Sequence, residues 1–178
     1  MRFALVVSFA CLLAACSSCK ESVRTTQPKN SPSANAERDA NIGRNQEWVD
    51  EENELIEAFI KRRGWDMIAT QTGLRYMVYE PGADGPVGKA GQSASVSYKI
   101  SLLDGTRCYE ASADDPKNFV IGFDQVESGI HEVMTYLRAG DKARVILPAH
   151  LAFGLTGDND KIPPLSTVVY DLHILALR

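Results

Sequence analysis

No run of lysine or arginine in this chain could follow a phosphate backbone, and the formal net charge of −4 with a pI near 5.4 gives no basic surface. A nucleic-acid partner is therefore not expected. Cysteine is scarce: Cys11, Cys16, Cys19 and Cys108. Cys16 and Cys19 are spaced like metal ligands, but no second pair follows. Nothing points to a disulfide framework either, because a Cys19–Cys108 bridge would tie a polar leader segment to a core strand. His131, His150 and His173 stand singly with no HxxxH spacing, which suits surface or structural histidines. Asp158-Asn159-Asp160 lacks the spacing of a calcium loop and reads as turn chemistry. No metal and no cofactor is expected.

The N-terminus carries a positive signal. Arg2 precedes the apolar run FALVVSFACLLAA, too short to span a bilayer, which reads as an export signal over 1–15. Leu13-Ala14-Ala15-Cys16 resembles the bacterial lipobox, which implies lipidation at Cys16 and membrane attachment through that lipid. The expected location is the bacterial cell envelope, facing periplasm or exterior. A soluble secreted protein with an incidental cysteine is the alternative. Each buried acyl methylene contributes about 0.8 kcal/mol to such an anchor. Residues 16–44, rich in Ser, Asn, Thr, Ala and Pro, read as a disordered tether. An amphipathic helix is expected over 45–65, capped by Asn45, with Trp48, Leu55, Ile56, Phe59 and Ile60 on one stripe, Lys61 to Arg63 near its end and Gly64 as its stop. That stripe packs either on the domain's own sheet or on a second copy, a homodimer through residues 48–60.

From Gly73 the periodicity becomes that of strands: LRYMVYE, SASVSYKISLL, a turn at Asp104-Gly105, TRCYEAS and NFVIG. VESGIHEVMTYLRAG has helical spacing and stops at Gly140, and ARVILPA and TVVYDLHILAL are strands again. Between the last two lies HLAFGLTGDNDKIPP, Gly-rich at its start and stiffened by Pro163-Pro164 at its end, a loop suited to stand over a sheet and shape a pocket. Several antiparallel strands with one amphipathic helix make an α+β domain.

The spaced pieces VSYKISLLDG, the Phe119 strand ending at Gly122, VESGI, LRAGDKARVILP, HLAFG and IPPLSTVVYDLHIL resemble the FKBP-type peptidyl-prolyl cis-trans isomerases. The resemblance covers about Gly73 to Arg178 and puts the isomerase domain at 66–178. It implies a curved antiparallel sheet of five or six strands wrapped around a short helix, with a pocket between helix and sheet and proline-containing polypeptides as substrates. By the same resemblance Tyr98 and Phe119 form walls and Val126 and Ile130 the floor. The Glu127 backbone N–H is a donor to a substrate carbonyl, Phe153 and Ile162 close the loop side, and Tyr170 adds an aromatic. Without it, Tyr98, Phe119, Phe153 and Tyr170 would read as plain core residues of a sheet.

Departures accompany the match. Cys108-Tyr109 stands at the pocket rim where the family usually has Phe-Asp, Lys117 where it is usually aromatic, and Phe153 where a tyrosine hydroxyl usually donates to the ligand. Each weakens polar anchoring and implies reduced activity, so two rivals stay open: a chaperone or binding module with incidental turnover, and a component of an envelope (gliding or secretion) assembly.

Overall fold

The structure, a computed structural model, describes residues 32–178; the export signal, Cys16 and the first part of the expected tether lie outside the described residues. The chain divides in sequence between Ala40 and Asn41 into two compact units, and the sheet and its pockets belong to the second. Helix α1 runs Pro32–Arg63, so residues 32–44 are helical rather than tether, and Asn45 is an interior residue rather than a cap. The polar composition there removes core contacts but not helix propensity. Pro32 occupies the first helical position, and Ala34, Ala36, Glu37, Arg38 and Ala40 are mostly strong helix formers joined without a break to an anchored segment. The helix stops at Gly64, which adopts φ 63°.

Seven strands follow around one short helix: β1 (Ile68–Ala69), β2 (Arg75–Glu80), β3 (Ser93–Leu102), β4 (Arg107–Ala111), β5 (Lys117–Val120), α2 (Ser128–Met134), β6 (Lys142–Leu147) and β7 (Val168–Leu177). They form one antiparallel sheet in the order β1-β2-β6-β7-β3-β4, with β5 also paired to β3. The count exceeds five or six because β1 adds a two-residue pairing that no periodicity can announce. β4 and β5 occupy the same edge of β3 end to end, since β3 pairs with β5 through Ser93–Val96 and with β4 through Tyr98–Ser101. The β3–β4 hairpin turns where Asp104-Gly105 requires it: Gly105 has φ 94°, and Asp104 Oδ1 accepts the Thr106 N–H at 2.8 Å.

Strand alternation gives the sheet two apolar faces. Val168, Tyr170, Leu172 and Ile174 of β7 and Ala143, Val145 and Leu147 of β6 join Ile130, Val133, Met134 and Leu137 in the main core. The opposite face of the same strands offers Ile146 and Val169, which Ile56 and Phe59 of α1 cover, flanked by Ile60, Trp65 and Met67. Ile56, Phe59 and Ile60 of the expected stripe are thus covered by the chain's own sheet, while Trp48 stays half-buried outside that cluster. Its membership differs from the sequence reading: Leu55 is 62% exposed, and Glu52 is 7% exposed in its place. One oxygen of Glu52 accepts both the Ala149 N–H at 2.8 Å and the Thr167 hydroxyl at 2.5 Å, which ties α1 to both ends of the segment linking β6 and β7. Arg75, 8% exposed, donates to Asn53 Oδ1 at 3.0 Å and Glu57 Oε1 at 3.1 Å, tying α1 to β2 as well.

Helix α2 covers seven residues and ends at Met134, well before Gly140. Buried Asp141 accounts for the early stop. Its two oxygens accept the N–H groups of Gly82 at 2.8 Å and Arg138 at 2.7 Å, which folds Thr135 to Gly140 into a bend that still buries Leu137 completely.

Because a single oxygen carries both bonds of Glu52, Glu52→Gln should be nearly neutral, while Glu52→Ala leaves a buried N–H unpaired and should lower the unfolding free energy by about 1–3 kcal/mol. Urea unfolding followed by circular dichroism checks this. Equal losses in the two variants would assign the effect to charge rather than to the bonds.

Candidate functional site

A cavity of about 380 Å³ opens between α2 and the inner face of the sheet, lined by Val96, Tyr98, Lys117, Phe119, Gln125, Val126, Glu127, Ile130, Ala152, Phe153, Tyr170 and Leu172. That volume lies within the range of about 300–1,000 Å³ usual for small-ligand sites. Period-two alternation aims Val96 and Tyr98 of β3 and Tyr170 and Leu172 of β7 to the same side, and Phe119 arrives from β5. Tyr98 and Tyr170 meet edge to face at 5.8 Å. Ile130 reaches the floor because α2 starts in close contact with the end of β6: a Cβ on Gly129 would stand 2.5 Å from Leu147 Cδ2 and 3.1 Å from the Leu151 carbonyl oxygen. Only glycine permits that approach.

The turn before α2 is held by His131. Its Nδ1 accepts the Gly122 N–H at 2.8 Å and its Nε2 faces the Asp124 carbonyl at 3.0 Å, so Nε2 carries the proton. Asp124 in turn accepts the Val120 N–H at 2.7 Å. This makes His131 a structural histidine. With the turn so fixed, the Val126 N–H donates to the Asp124 carbonyl and the Glu127 carbonyl accepts from Ile130, while the Glu127 N–H has no partner among the described residues. It is a free donor at the margin of an apolar hollow.

The sequence reading passed over the Glu127 side chain. Its carboxylate stands beside the Tyr170 hydroxyl and close to Tyr98. Burial, and secondly this carboxylate, pushes the Tyr170 phenol well above its ordinary value and the Tyr98 phenol up in the same direction. Both hydroxyls therefore remain protonated donors at neutral pH. A carboxylate and a phenol are thus present at the cavity after all, supplied from Glu127 and Tyr170 rather than from Tyr109 and Phe153.

Three expected positions fall elsewhere. Ile162 is 2% exposed and packs in the core behind the loop instead of lining the cavity. The cause is Asp158, whose Oδ1 accepts the N–H groups of Asp160 at 2.9 Å and Ile162 at 2.8 Å, while its own N–H donates to the Ile162 carbonyl. Gly157, at φ 67°, admits the close pass, since a Cβ there would lie 2.2 Å from the Ile162 carbonyl oxygen. Cys108, 4% exposed, turns its thiol toward the Lys161 carbonyl at 3.7 Å, and Tyr109 donates its hydroxyl to Asp158 and Asp160. Neither forms the rim of this cavity; together they clamp the loop. Gln125, Ala152, Val96 and Leu172 join the lining without having been singled out, Val96 and Leu172 because alternation places them beside Tyr98 and Tyr170.

A family model described as FKBP-type peptidyl-prolyl cis-trans isomerase matches residues 85–175. Fkbp12 of Drosophila melanogaster, a peptidyl-prolyl cis-trans isomerase, is 33% identical over 60% of this chain and 99% of its own length. FkpA of Escherichia coli, an FKBP-type isomerase, is 32% identical over 70% of this chain and 44% of its own. The chain spans only 30% of FK506-binding protein 4 of Dictyostelium discoideum, at 30% identity over 62% of its own length. The crystal structure of FkpA superposes with a TM-score of 0.62 over 82% of this chain and 68% of that one, at 28% identity. A Pseudomonas syringae isomerase structure at 23% identity shares the fold, with a TM-score of 0.63 over 74% of this chain and 94% of that one.

The Asp158 clamp carries a pH signature. Burial by itself would raise the Asp158 carboxyl, but the Tyr109 hydroxyl and the backbone N–H groups outweigh it and hold it below its ordinary value. A carboxyl lowered by folding stabilises above its unfolded value and loses that contribution as pH falls through the folded one. Tyr109→Phe should therefore be less stable than wild type from neutral pH down to about pH 5, and the gap should close at more acid pH. Thermal unfolding across that range checks it, and a gap that persists unchanged at low pH would exclude the hydroxyl–carboxylate bond as its source.

Proposed function

Because the chain belongs to the FKBP-type peptidyl-prolyl cis-trans isomerase family, we propose that it catalyses rotation about X-Pro bonds and assists the folding of exported proteins in the bacterial envelope. The barrier to this rotation is about 18–20 kcal/mol, set by amide resonance, and the uncatalysed step takes tens of seconds or longer. No nucleophile is required. A cavity that fits the twisted amide better than either planar isomer lowers the barrier by differential binding, and exclusion of water strengthens each polar contact inside.

The observation that carries the reading is the unpartnered Glu127 N–H beside an apolar hollow closed by Tyr98, Phe119, Ile130, Phe153 and Tyr170. The prolyl ring rests on Val126 and Ile130, the Glu127 N–H holds a substrate carbonyl, and the Tyr170 hydroxyl, donating to the Glu127 carboxylate, fixes that side chain at the cavity. Placement in the envelope rests on the signal-like run before Cys16, and attachment there is through the lipid that Cys16 would carry.

A second reading, a holdase that binds apolar segments, has one observation in its favour. Phe123 is 74% exposed and Leu155 76% exposed, two residues from the cavity residues Gln125 and Phe153 respectively. Short-peptide isomerisation set beside protein refolding separates the two readings: binding of unfolded chains with no acceleration of either reaction would leave only the holdase.

Tyr170→Phe should lower kcat/KM on a short proline peptide by about two- to tenfold, the worth of one hydrogen bond of about 0.5–1.5 kcal/mol. Phe153→Tyr should raise it over the same range by adding a hydroxyl to the loop side. If neither variant moves kcat/KM, side-chain hydroxyls play no part in catalysis here and the polar anchoring is left to the Glu127 N–H.

A further inference from the structure

A second cavity, about 720 Å³, lies across the sheet from the prolyl cavity, between the end of α1 and the edge strand β4. Its lining draws a cation from each of five elements: Arg63 from α1, Lys99 from β3, Arg107 from β4, Arg144 from β6 and Lys161 from the loop after the β6 turn. None of the five forms a salt bridge among the described residues; the two pairs there are Arg75–Glu57 and Lys142–Glu80. Two carboxylates, Glu110 and Asp171, share the lining, and Asp171 already accepts the Tyr79 hydroxyl at 2.6 Å. In a chain of net charge −4, this concentration of positive charge is local.

Three of the cations lie over aromatic rings, Lys161 among them with its Nζ 5.0 Å from the Tyr109 ring. The Arg63 guanidinium lies 4.8 Å from the Phe59 ring and 5.6 Å from Trp65, and that of Arg144 lies 4.6 Å from Trp65 and 5.0 Å from Tyr79. A stacked guanidinium keeps its N–H edge free for a carboxylate.

The shape argues for a polypeptide. Consecutive residues line it in three neighbouring strands, 169–171 of β7, 99–101 of β3 and 107–110 of β4, with Arg144 of β6 beyond them, so the cavity crosses the outer face of the sheet over about three strand spacings, roughly 14 Å. Such a span fits several residues of extended chain, at about 3.3 Å each, rather than a single anionic group. We propose that this groove binds an extended acidic peptide segment lying across the outer face of the sheet, its carboxylates meeting Arg63, Lys99, Arg107, Arg144 and Lys161. The groove shares only Tyr170 with the lining of the prolyl cavity, and its cations take no part in that cavity, so the proposal stands whether or not that cavity catalyses.

Calorimetric titration of the full-length chain with an eight-residue peptide of alternating Glu and Thr, and with its Gln–Thr counterpart, tests this. The Glu peptide should bind at least about tenfold more tightly than the Gln peptide, and the difference should shrink at high salt. Arg107→Glu and Lys99→Glu, both at exposed positions outside the prolyl cavity, should each weaken the Glu peptide about tenfold while isomerisation of a neutral proline peptide stays unchanged. Should a charge reversal disturb folding, the two-peptide comparison on wild type decides alone. Equal affinity for the two peptides overturns the proposal. So does binding of anionic phospholipid vesicles with the same sensitivity to Arg107→Glu in place of peptide binding, which would make the groove a headgroup site.

Discussion

Strands β6 and β7 at the middle of the sheet carry apolar side chains on both faces, and neither face can be left to water. Val145, Leu147, Tyr170 and Leu172 point one way, Ile146 and Val169 the other. Burial contributes roughly 25 cal/mol per Å² of apolar surface, so covering only one side would forfeit a substantial part of the core. α2 covers the first face and α1 the second. The polar ties of α1, Glu52 to Ala149 and Thr167 and Arg75 to Asn53 and Glu57, fix its position where packing alone would permit sliding. Everything functional follows from this division: the prolyl cavity is where the short α2 fails to fill the inner face, and the cationic groove is where α1 leaves the outer face open toward β4.

The departures at the site form one pattern once the loop is placed. Tyr109 does not plug the hollow, because its hydroxyl is drawn to Asp158 and Asp160, and Asp158 in the same contact pulls Ile162 inward under the loop. The polar groups missing from the rim are replaced from other elements, by the carboxylate of Glu127 at the start of α2 and the phenol of Tyr170 on β7.

The groove on the outer face shows how little a net charge says about local fields. Its five cations are scattered from position 63 to position 161, and each alone reads as an ordinary solubilising residue. They converge because β3, β4, β6, the loop and the end of α1 meet at one margin of the sheet.

Strands β2 to β7, the Asp104-Gly105 hairpin and the end of α1 at Gly64 were legible in the sequence because each depends on short-range chemistry, a period of two or a residue that tolerates positive φ. The spaced motifs were enough for the family fold and, through that resemblance, for most of the cavity lining, which periodicity alone would have read as plain core. Three things were not readable, for one reason: each depends on partners distant in the chain. α2 stops at Met134 because Asp141 captures Gly82 and Arg138; Ile162 leaves the cavity because Asp158 turns it inward; and the Glu127 carboxylate, not only its backbone N–H, enters the site because Tyr170 lies 43 positions away in sequence on the facing strand. Local periodicity determined which residues share a face; only the tertiary structure decided which of them meet, since a polar side chain goes where its bonding partner is.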